Sequence, residues 1–300
     1  MIGLTMKHLR YLVAVADCGH FGNAAAKCFI SQPALSQQIK ELEALIGEKL
    51  IERSARRVAL TPLGEQAVER ARDILNSVQD FGDFIKASRE TFAGDLRFGI
   101  IPTIAPYVLP QIVKTLGTAY PGLVMRPREA ITPQLIDGLA QSQLDIALVA
   151  LPLNEPSLEE LKLFDEEFVL VRRIEAANEP VPHPKDLIKM KLLLLEEGHC
   201  FREQAISFCN LNERKLHEFM EASSLSTLVQ MVEAGIGITV IPEMALPLET
   251  RSGKISVSRF KDPAPKRSVG LAWRESNPLA GTFTEISAIL KTQCFGVNAS

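Results

Sequence analysis

Apolar residues along the chain follow two different periods, and the change between them divides it. Between Lys7 and Ala16, Leu9, Leu12, Val13 and Ala16 recur at helical spacing, and Asp17-Cys18-Gly19 ends the run. A short second helix is predicted from Asn23 to Phe29, with Gly22 in the capping position and Asn23 able to assist. Ser31 caps a third helix, Gln32 to Ile46, which tolerates Pro33 in its first turn. Leu35, Ile39, Leu42 and Ile46 share one face of it; Pro33, Gln37 and Lys40 project from the opposite side and Ser36 from the flank. From Pro62 the apolar steps alternate between four and three residues through Ala67, Ala71, Ile74, Val78, Phe81 and Ile85. So narrow a seam is best satisfied by another helix, which predicts a dimerising linker helix ending near Thr91; packing on the chain's own C-terminal body is the plainer option.

Beyond Gly94 the period shortens. Leu96, Phe98 and Ile100 alternate as a strand, the helix after Ile104 carries Val108, Leu109, Ile112, Val113 and Leu116, and Leu123 to Pro127 forms a second strand. Pro133 to Gln143 reads as a helix capped by Thr132, and Ile146 to Ala150 as a third strand. Phe168 to Val171 leads into a loop rich in Pro and charge, Glu175 to Lys191, before the apolar run Leu192 to Leu195. A helix from Leu225 to Ala234, strands Ile238 to Ile241 and Ser268 to Trp273, and a helix from Thr282 to Lys291 follow. Strand alternating with helix predicts a doubly wound α/β domain.

Composition narrows the setting. Three hundred residues suffice for two or three cores without help from disulfides. Five cysteines and no recognisable leader suggest a reducing, cytoplasmic compartment, where a disulfide is transient. No apolar run reaches the ~18 residues of a membrane span, so a soluble protein is expected. The net charge is −3, yet residues 1–60 hold eight Lys or Arg against five Asp or Glu, so only that end suits a phosphate backbone. No CxxC or HxxxH offers a metal site, and no GxSxG elbow offers a serine hydrolase. Gly235-Ile236-Gly237 lacks the third glycine of a dinucleotide fingerprint and reads as a tight turn, so neither metal nor cofactor is expected.

Two groups of residues carry candidate chemistry. The third helix, apolar behind with amide and cation in front, suits the major groove of double-stranded DNA, where Gln contacts base edges and Lys neutralises phosphate. The same pattern also describes an ordinary solvent-facing helix. Arg53, Arg56 and Arg57 precede Val58 and Leu60 in a basic hairpin suited to the sugar-phosphate backbone, though a run of charge is often merely solvated. In the second group, Glu196-Glu197-Gly198 breaks the apolar run before His199, Cys200 and Arg202, which puts Cys200 near a helix start. Backbone N–H groups, the helix dipole and Arg202 all favour a thiolate there, the nucleophilic form. Cys209 lies nine residues on. In a helix that is roughly 13 Å, whereas a disulfide needs Cα atoms within about 7 Å, so bridging the two demands refolding. On spacing alone these sulfurs are also read as small buried hydrophobes, the reading given to Cys18, Cys28 and Cys294. Thr103 and Thr132 stand at strand-to-helix corners, where α/β domains form ligand crevices, although a capping role accounts for both.

The stretch HFGNAAAKCFISQPALSQQIKELEALIGEKLIERSARRVALTPLGEQA resembles the winged helix-turn-helix of the LysR-type transcriptional regulators in order and spacing. By that resemblance Gln32, Pro33, Ser36, Gln37 and Lys40 face DNA, and Arg53 and Arg57 contact it from the wing. Gly22 departs from the Ser or Thr usual there. The resemblance implies an all-α winged helix-turn-helix domain (1–61), a linker helix and hinge (62–93), and an α/β regulatory domain (94–300) of two lobes, similar to periplasmic binding proteins. Lobe I would comprise 94–165 and 267–300, and lobe II 166–266. LLLLEEGHCFREQAISFC and GIIPTIAPYVLP resemble the peroxide-sensing OxyR branch of the same family. That implies that Thr103, Thr132 and His199 hold hydrogen peroxide and that Cys200 attacks it. Arg202 would stabilise the thiolate, Glu203 organise the site and Arg267 join its network. Cys209 would then condense with the Cys200 sulfenic acid into a reversible disulfide. The implied partners are DNA, hydrogen peroxide, RNA polymerase, further copies of the chain as a homodimer or homotetramer, and cellular thiol reductants that reset the switch. The other readings are a regulator binding a small organic effector between its lobes and a thiol peroxidase.

Overall fold

Thr5 opens the first helix, α1 (Met6–Cys18), by accepting the His8 amide while His8 Nδ1 accepts the Thr5 amide, both at 3.3 Å. Gly19, at φ +58, closes it at the predicted breaker. The computed structural model describes residues 3–53, 58–87, 93–209 and 220–296, in two units, Met1–Phe84 and Ile85–Ser300. The second helix, α2 (Phe21–Lys27), starts earlier than predicted because its cap is His20 and not Gly22 or Asn23. His20 Nδ1 accepts the Gly22 amide at 3.0 Å. That geometry also explains Gly22, since a Cβ there would lie 2.9 Å from His20 Cε1.

The third helix, α3 (Gln32–Ile46), has the predicted bounds, with Ser31 Oγ accepting the Ala34 amide at 3.4 Å. Leu35, Ile39 and Leu42 are buried, but Ile46 is exposed. The chain turns at Gly47 and returns through Leu50 and Ile51, which fill the core where Ile46 was expected. Glu43 is buried beside them and accepts the Leu50 and Ile51 amides at 3.0 and 3.2 Å and Lys49 Nζ at 2.9 Å. Burial alone would raise its pKa, but the bonds from Lys49 and the two amides outweigh it and hold the carboxyl below its ordinary value. Its contribution to stability is therefore complete above the ordinary carboxylate pKa and is lost as pH falls through the depressed folded one. Glu43→Ala, which leaves two buried amides unpaired, is expected to remove about 3 kcal/mol, read by urea unfolding. A loss under about 1 kcal/mol would mean that other groups satisfy those amides.

Strands β1 (Ile51–Arg53) and β2 (Val58–Leu60) form an antiparallel hairpin with Ile51 opposite Leu60. Helix α4 (Pro62–Ala87) places Val68 in the first unit's core and buries Ala71, whereas Ile74, Val78, Phe81, Phe84 and Ile85 are exposed. Thr91, its predicted end, lies outside the described residues.

In the second unit β3 (Gly94–Ile100) pairs in parallel with β4 (Leu123–Glu129) and β5 (Ile146–Leu151), connected through α5 (Ala105–Ala119) and α6 (Thr132–Ala140). The long β6 (Leu158–Arg173) runs on to β9 (Thr239–Pro242) and β10 (Ile255–Arg259), and β11 (Lys266–Arg274) lies antiparallel between β5 and β6. Residues 96–163 and 269–290 supply one hydrophobic core, and residues 168–260 another. Two lobes result, with β6 passing from one to the other. The remaining elements are β7 (Leu194–Leu195), α7 (Cys200–Cys209), β8 (Glu221–Ala222), α8 (Leu225–Glu233), α9 (Leu246–Glu249) and α10 (Ala280–Gln293). Gly235, at φ +77, makes the predicted tight turn. No described helix is long and apolar enough to cross a membrane.

Candidate functional site

Leu192 to Leu195 are all buried, and Leu194 and Leu195 pair in parallel with β8. After them the chain turns at Gly198, whose φ of +89 favours glycine and where a Cβ would come within 2.7 Å of Ile131 Cδ1. The turn delivers Cys200 as the first residue of α7, half-buried, into a cleft of about 590 Å³. Thr132 and Asn154 reach the same cleft from lobe I, and Gln204 and Ser207 from lobe II. Glu203, with its side chain exposed, and Lys266 also line it.

Thr132 does not cap α6. The capping position belongs to Ile131, an extended residue with no side-chain bond to offer, and Thr132 is the first helical residue. Among the described residues its Oγ1 is buried without a partner, as is Gln204 Oε1. A buried polar atom left unpaired is unusual; two of them lining one cleft with a thiol mark a place for a small polar guest.

Thr103 is not a cap either, since α5 begins beyond it with Ile104 in the capping position. It is buried and is not among the residues lining the cleft; its Oγ1 accepts from Arg267 Nη1 at 2.8 Å and its carbonyl from Nη2 at 3.2 Å. Arg267 Nε donates to Glu166 Oε2 at 2.8 Å, while Glu166 Oε1 accepts the Met244 amide at 2.7 Å. The guanidinium carbon stands 6.0 Å from the Phe201 ring centroid, a cation–π distance. Sequence reasoning missed Glu166. No local signal was available: Glu166 faces Arg267, and Glu167 faces Lys266, only through a strand register that emerges from the fold.

His199 is buried, and burial lowers its pKa against the opposing pull of Glu196. Its imidazole is therefore neutral at neutral pH and able both to donate and to accept. Arg202 departs from expectation. Its Nη1 donates to the Leu195 carbonyl at 2.8 Å and to Glu221 Oε1 at 2.5 Å, and no hydrogen bond to Cys200 occurs among the described residues. A fixed carboxylate on the neighbouring strand captures the guanidinium, so Arg202 ties α7 to β7 and β8. Cys209 closes α7, which puts the two cysteines at opposite ends of one helix, roughly 13 Å apart. The Cys209 side chain and residues 210–219 lie outside the described residues.

On the first unit Gln32, Pro33, Gln37 and Lys40 are exposed and Ser36 half-buried. Gln37 Nε2 donates to Glu41 Oε1 at 3.1 Å. The Arg53 side chain and the whole of Arg56 and Arg57 fall outside the described residues. Cys18, Cys28 and Cys294 are half-buried free thiols. Among the described residues no cluster of His, Cys, Asp and Glu could hold a metal ion.

A helix-turn-helix reading head, followed in the chain by a two-lobed domain with a thiol in its cleft, defines the class: a DNA-binding regulator with a sensory domain. Residues 6–65 match the bacterial regulatory helix-turn-helix proteins of the lysR family, and residues 89–294 match the LysR substrate binding domain. The chain belongs to the LysR family of transcriptional regulators. It is 42% identical over 292 residues to a probable hydrogen peroxide-inducible genes activator of Streptomyces viridosporus, covering 96% of this chain and 93% of that one. Among solved structures it is similar to full-length OxyR of Pseudomonas aeruginosa carrying a cysteine-to-aspartate change, with TM-score 0.73, 34% identity, and 96% and 95% of the two chains covered. It also resembles a cysteine-to-serine mutant of Corynebacterium glutamicum OxyR with H2O2 bound, with TM-score 0.66, 34% identity, and 99% and 97% covered.

Proposed function

We propose that this chain is a hydrogen-peroxide-sensing transcription regulator of the OxyR type, switched by a reversible Cys200–Cys209 disulfide. The observation that carries the reading is the half-buried Cys200 at the head of α7, facing a cleft in which Thr132 Oγ1 has no partner among the described residues. Thr132, His199 and Thr103 hold the peroxide, with Arg267 fixing Thr103 and Glu203 at the rim. The Cys200 thiolate attacks one peroxide oxygen and the O–O bond breaks. Sulfur keeps OH as sulfenic acid, and the departing hydroxide takes a proton to become water. The Cys209 thiolate then attacks the Cys200 sulfur; the S–S bond forms and the sulfenic oxygen leaves as a second water. Arg202 acts indirectly, by anchoring the start of α7.

Because the two cysteines stand at opposite ends of α7, the disulfide forces that helix to refold. Refolding alters how paired reading heads are spaced, and head spacing selects the half-sites that can be bound together. Gln32, Pro33, Ser36, Gln37 and Lys40 read the groove, with Arg53 and Arg57 on the backbone. The α4 seam joins copies into a dimer or tetramer, RNA polymerase receives the signal, and thiol reductants reset the switch in the cytoplasm. The output is regulation and not peroxide turnover. The cleft volume favours a second reading, a small organic effector, because 590 Å³ far exceeds one peroxide and falls within the usual range for ligand pockets.

The test is to treat the reduced protein with stoichiometric peroxide and map its thiols by differential alkylation and mass spectrometry. The expected result is joint loss of the Cys200 and Cys209 thiols and a linked peptide pair lacking two hydrogens. Two thiols that remain independently alkylatable would end the sensing reading and leave the effector. A companion variant, Thr132→Val, removes the unpaired hydroxyl with little change of shape. It is expected to raise stability by about 1 kcal/mol in urea unfolding while slowing Cys200 oxidation. An unchanged oxidation rate would remove Thr132 from the peroxide site.

A further inference from the structure

We infer that Phe29 is a DNA contact of the reading head, its ring lying against deoxyribose and thymine methyl groups beside the groove that α3 reads. The inference rests on the DNA-binding reading of the first unit. Phe29 is 96% exposed, the highest value of any large apolar side chain among the described residues. It also holds φ +56, a left-handed conformation that is an outlier for a bulky residue and natural for Asn or Gly. Neither solvation nor backbone preference favours phenylalanine there.

The conformation is fixed from behind. Cys28 donates to the Ala24 carbonyl at 3.0 Å, Phe29 to Ala26 at 3.1 Å and Ile30 to Ala25 at 3.1 Å. Cys28 and Ile30 pack on the first unit's core, so the turn sends the residue between them outward. An exposed aromatic in a strained and firmly bonded turn is the kind of outlier that marks a binding surface.

Its position identifies the occupant. Phe29 stands two residues before the cap Ser31 and three before the exposed Gln32. Three residues of chain span at most about 10 Å, against a major groove about 12 Å wide. When Gln32 is at a base edge, Phe29 is therefore within reach of the same groove or the backbone that borders it. The apolar groups available there are deoxyribose carbons and the thymine methyl, and the latter is a recognised target of Phe.

The test uses the full reduced chain and a duplex recovered by the wild type from a random-sequence library, with binding followed by fluorescence anisotropy across a salt series. Phe29→Asn is expected to melt no lower than wild type, because Asn accepts the left-handed turn, and to bind roughly tenfold more weakly. The slope of log affinity against log salt should stay unchanged, since no phosphate contact is lost. Phe29→Tyr, which keeps the ring, should bind as wild type does. Wild-type affinity in Phe29→Asn overturns the inference, including the case in which only transcription fails, which would assign the ring to a protein partner. A shallower salt slope also overturns it. Lys40→Ala serves as the control, with weaker binding and a shallower slope expected. Failure to recover any duplex would sink the DNA reading itself and the inference with it.

Discussion

Cys200→Ser is expected to abolish the peroxide response while leaving DNA binding by the reduced protein intact. A serine hydroxyl is scarcely ionised near neutral pH and has no divalent sulfur to carry the oxygen, so neither a sulfenic acid nor a disulfide forms. The reading head is built on its own core, around Leu12, Leu35, Ile39 and Leu42, and no residue of α7 contributes to it. Transcription from a responsive promoter with and without peroxide, alongside anisotropy on the reduced protein, measures both halves. A variant that no longer binds DNA when reduced would give Cys200 a structural role in place of a sensory one.

Arg267→Met is expected to cause the largest loss of stability of any change at the site. Arg267 and Glu166 are both buried, and removing the cation leaves a carboxylate out of water with only the Met244 amide and no counter-charge. Breaking a buried pair from one side costs about 3–5 kcal/mol, which for a domain of this size corresponds to a melting temperature lower by about 10 °C. Peroxide oxidation of Cys200 should slow as well, because Thr103 loses the guanidinium that orients it. The double variant Glu166→Leu with Arg267→Met separates the two effects. Replacing both charges with apolar groups is often neutral for stability, so melting should largely recover while oxidation stays slow. Trp273, the single tryptophan, is buried with its Nε1 donating to Glu159 at 3.0 Å, and its fluorescence reports unfolding of this domain. Recovery of both properties would mean that Arg267 serves folding alone.

What the sequence displayed was local. Ser31 followed by Pro33 specifies the start of α3 within three residues, and Glu196-Glu197-Gly198 marks the boundary before α7 in the same way, so both helices were placed correctly. What it concealed was nonlocal or conformational. Apolar residues mark only Phe168 to Val171 of β6, because its earlier half alternates with Glu159, Glu160, Lys162 and Asp165 and carries no continuous signal. Glu166 and Arg267 are separated by 101 positions, and only strand register brings them together. Arg202 looked like a partner for Cys200 at two residues' distance, but Glu221, 19 positions from Arg202, competes successfully for it. Thr132 and His20 illustrate capping. A threonine before an apolar helix suggested a cap, yet the backbone placed it one position too late; the histidine that does cap α2 has no place in a rule built on Ser, Thr, Asp and Asn.

The exposed stripe on α4 gives the regulator a sensitivity of a different kind. Ile74, Val78, Phe81, Phe84 and Ile85 are exposed; on the dimer reading a second helix covers them, so their contribution to stability obeys mass action. Melting temperature should climb with protein concentration. In a cell, the abundance of the chain would then set how many molecules have both heads available to span an operator, and a dilute pool would be insensitive to peroxide even with every Cys200 intact.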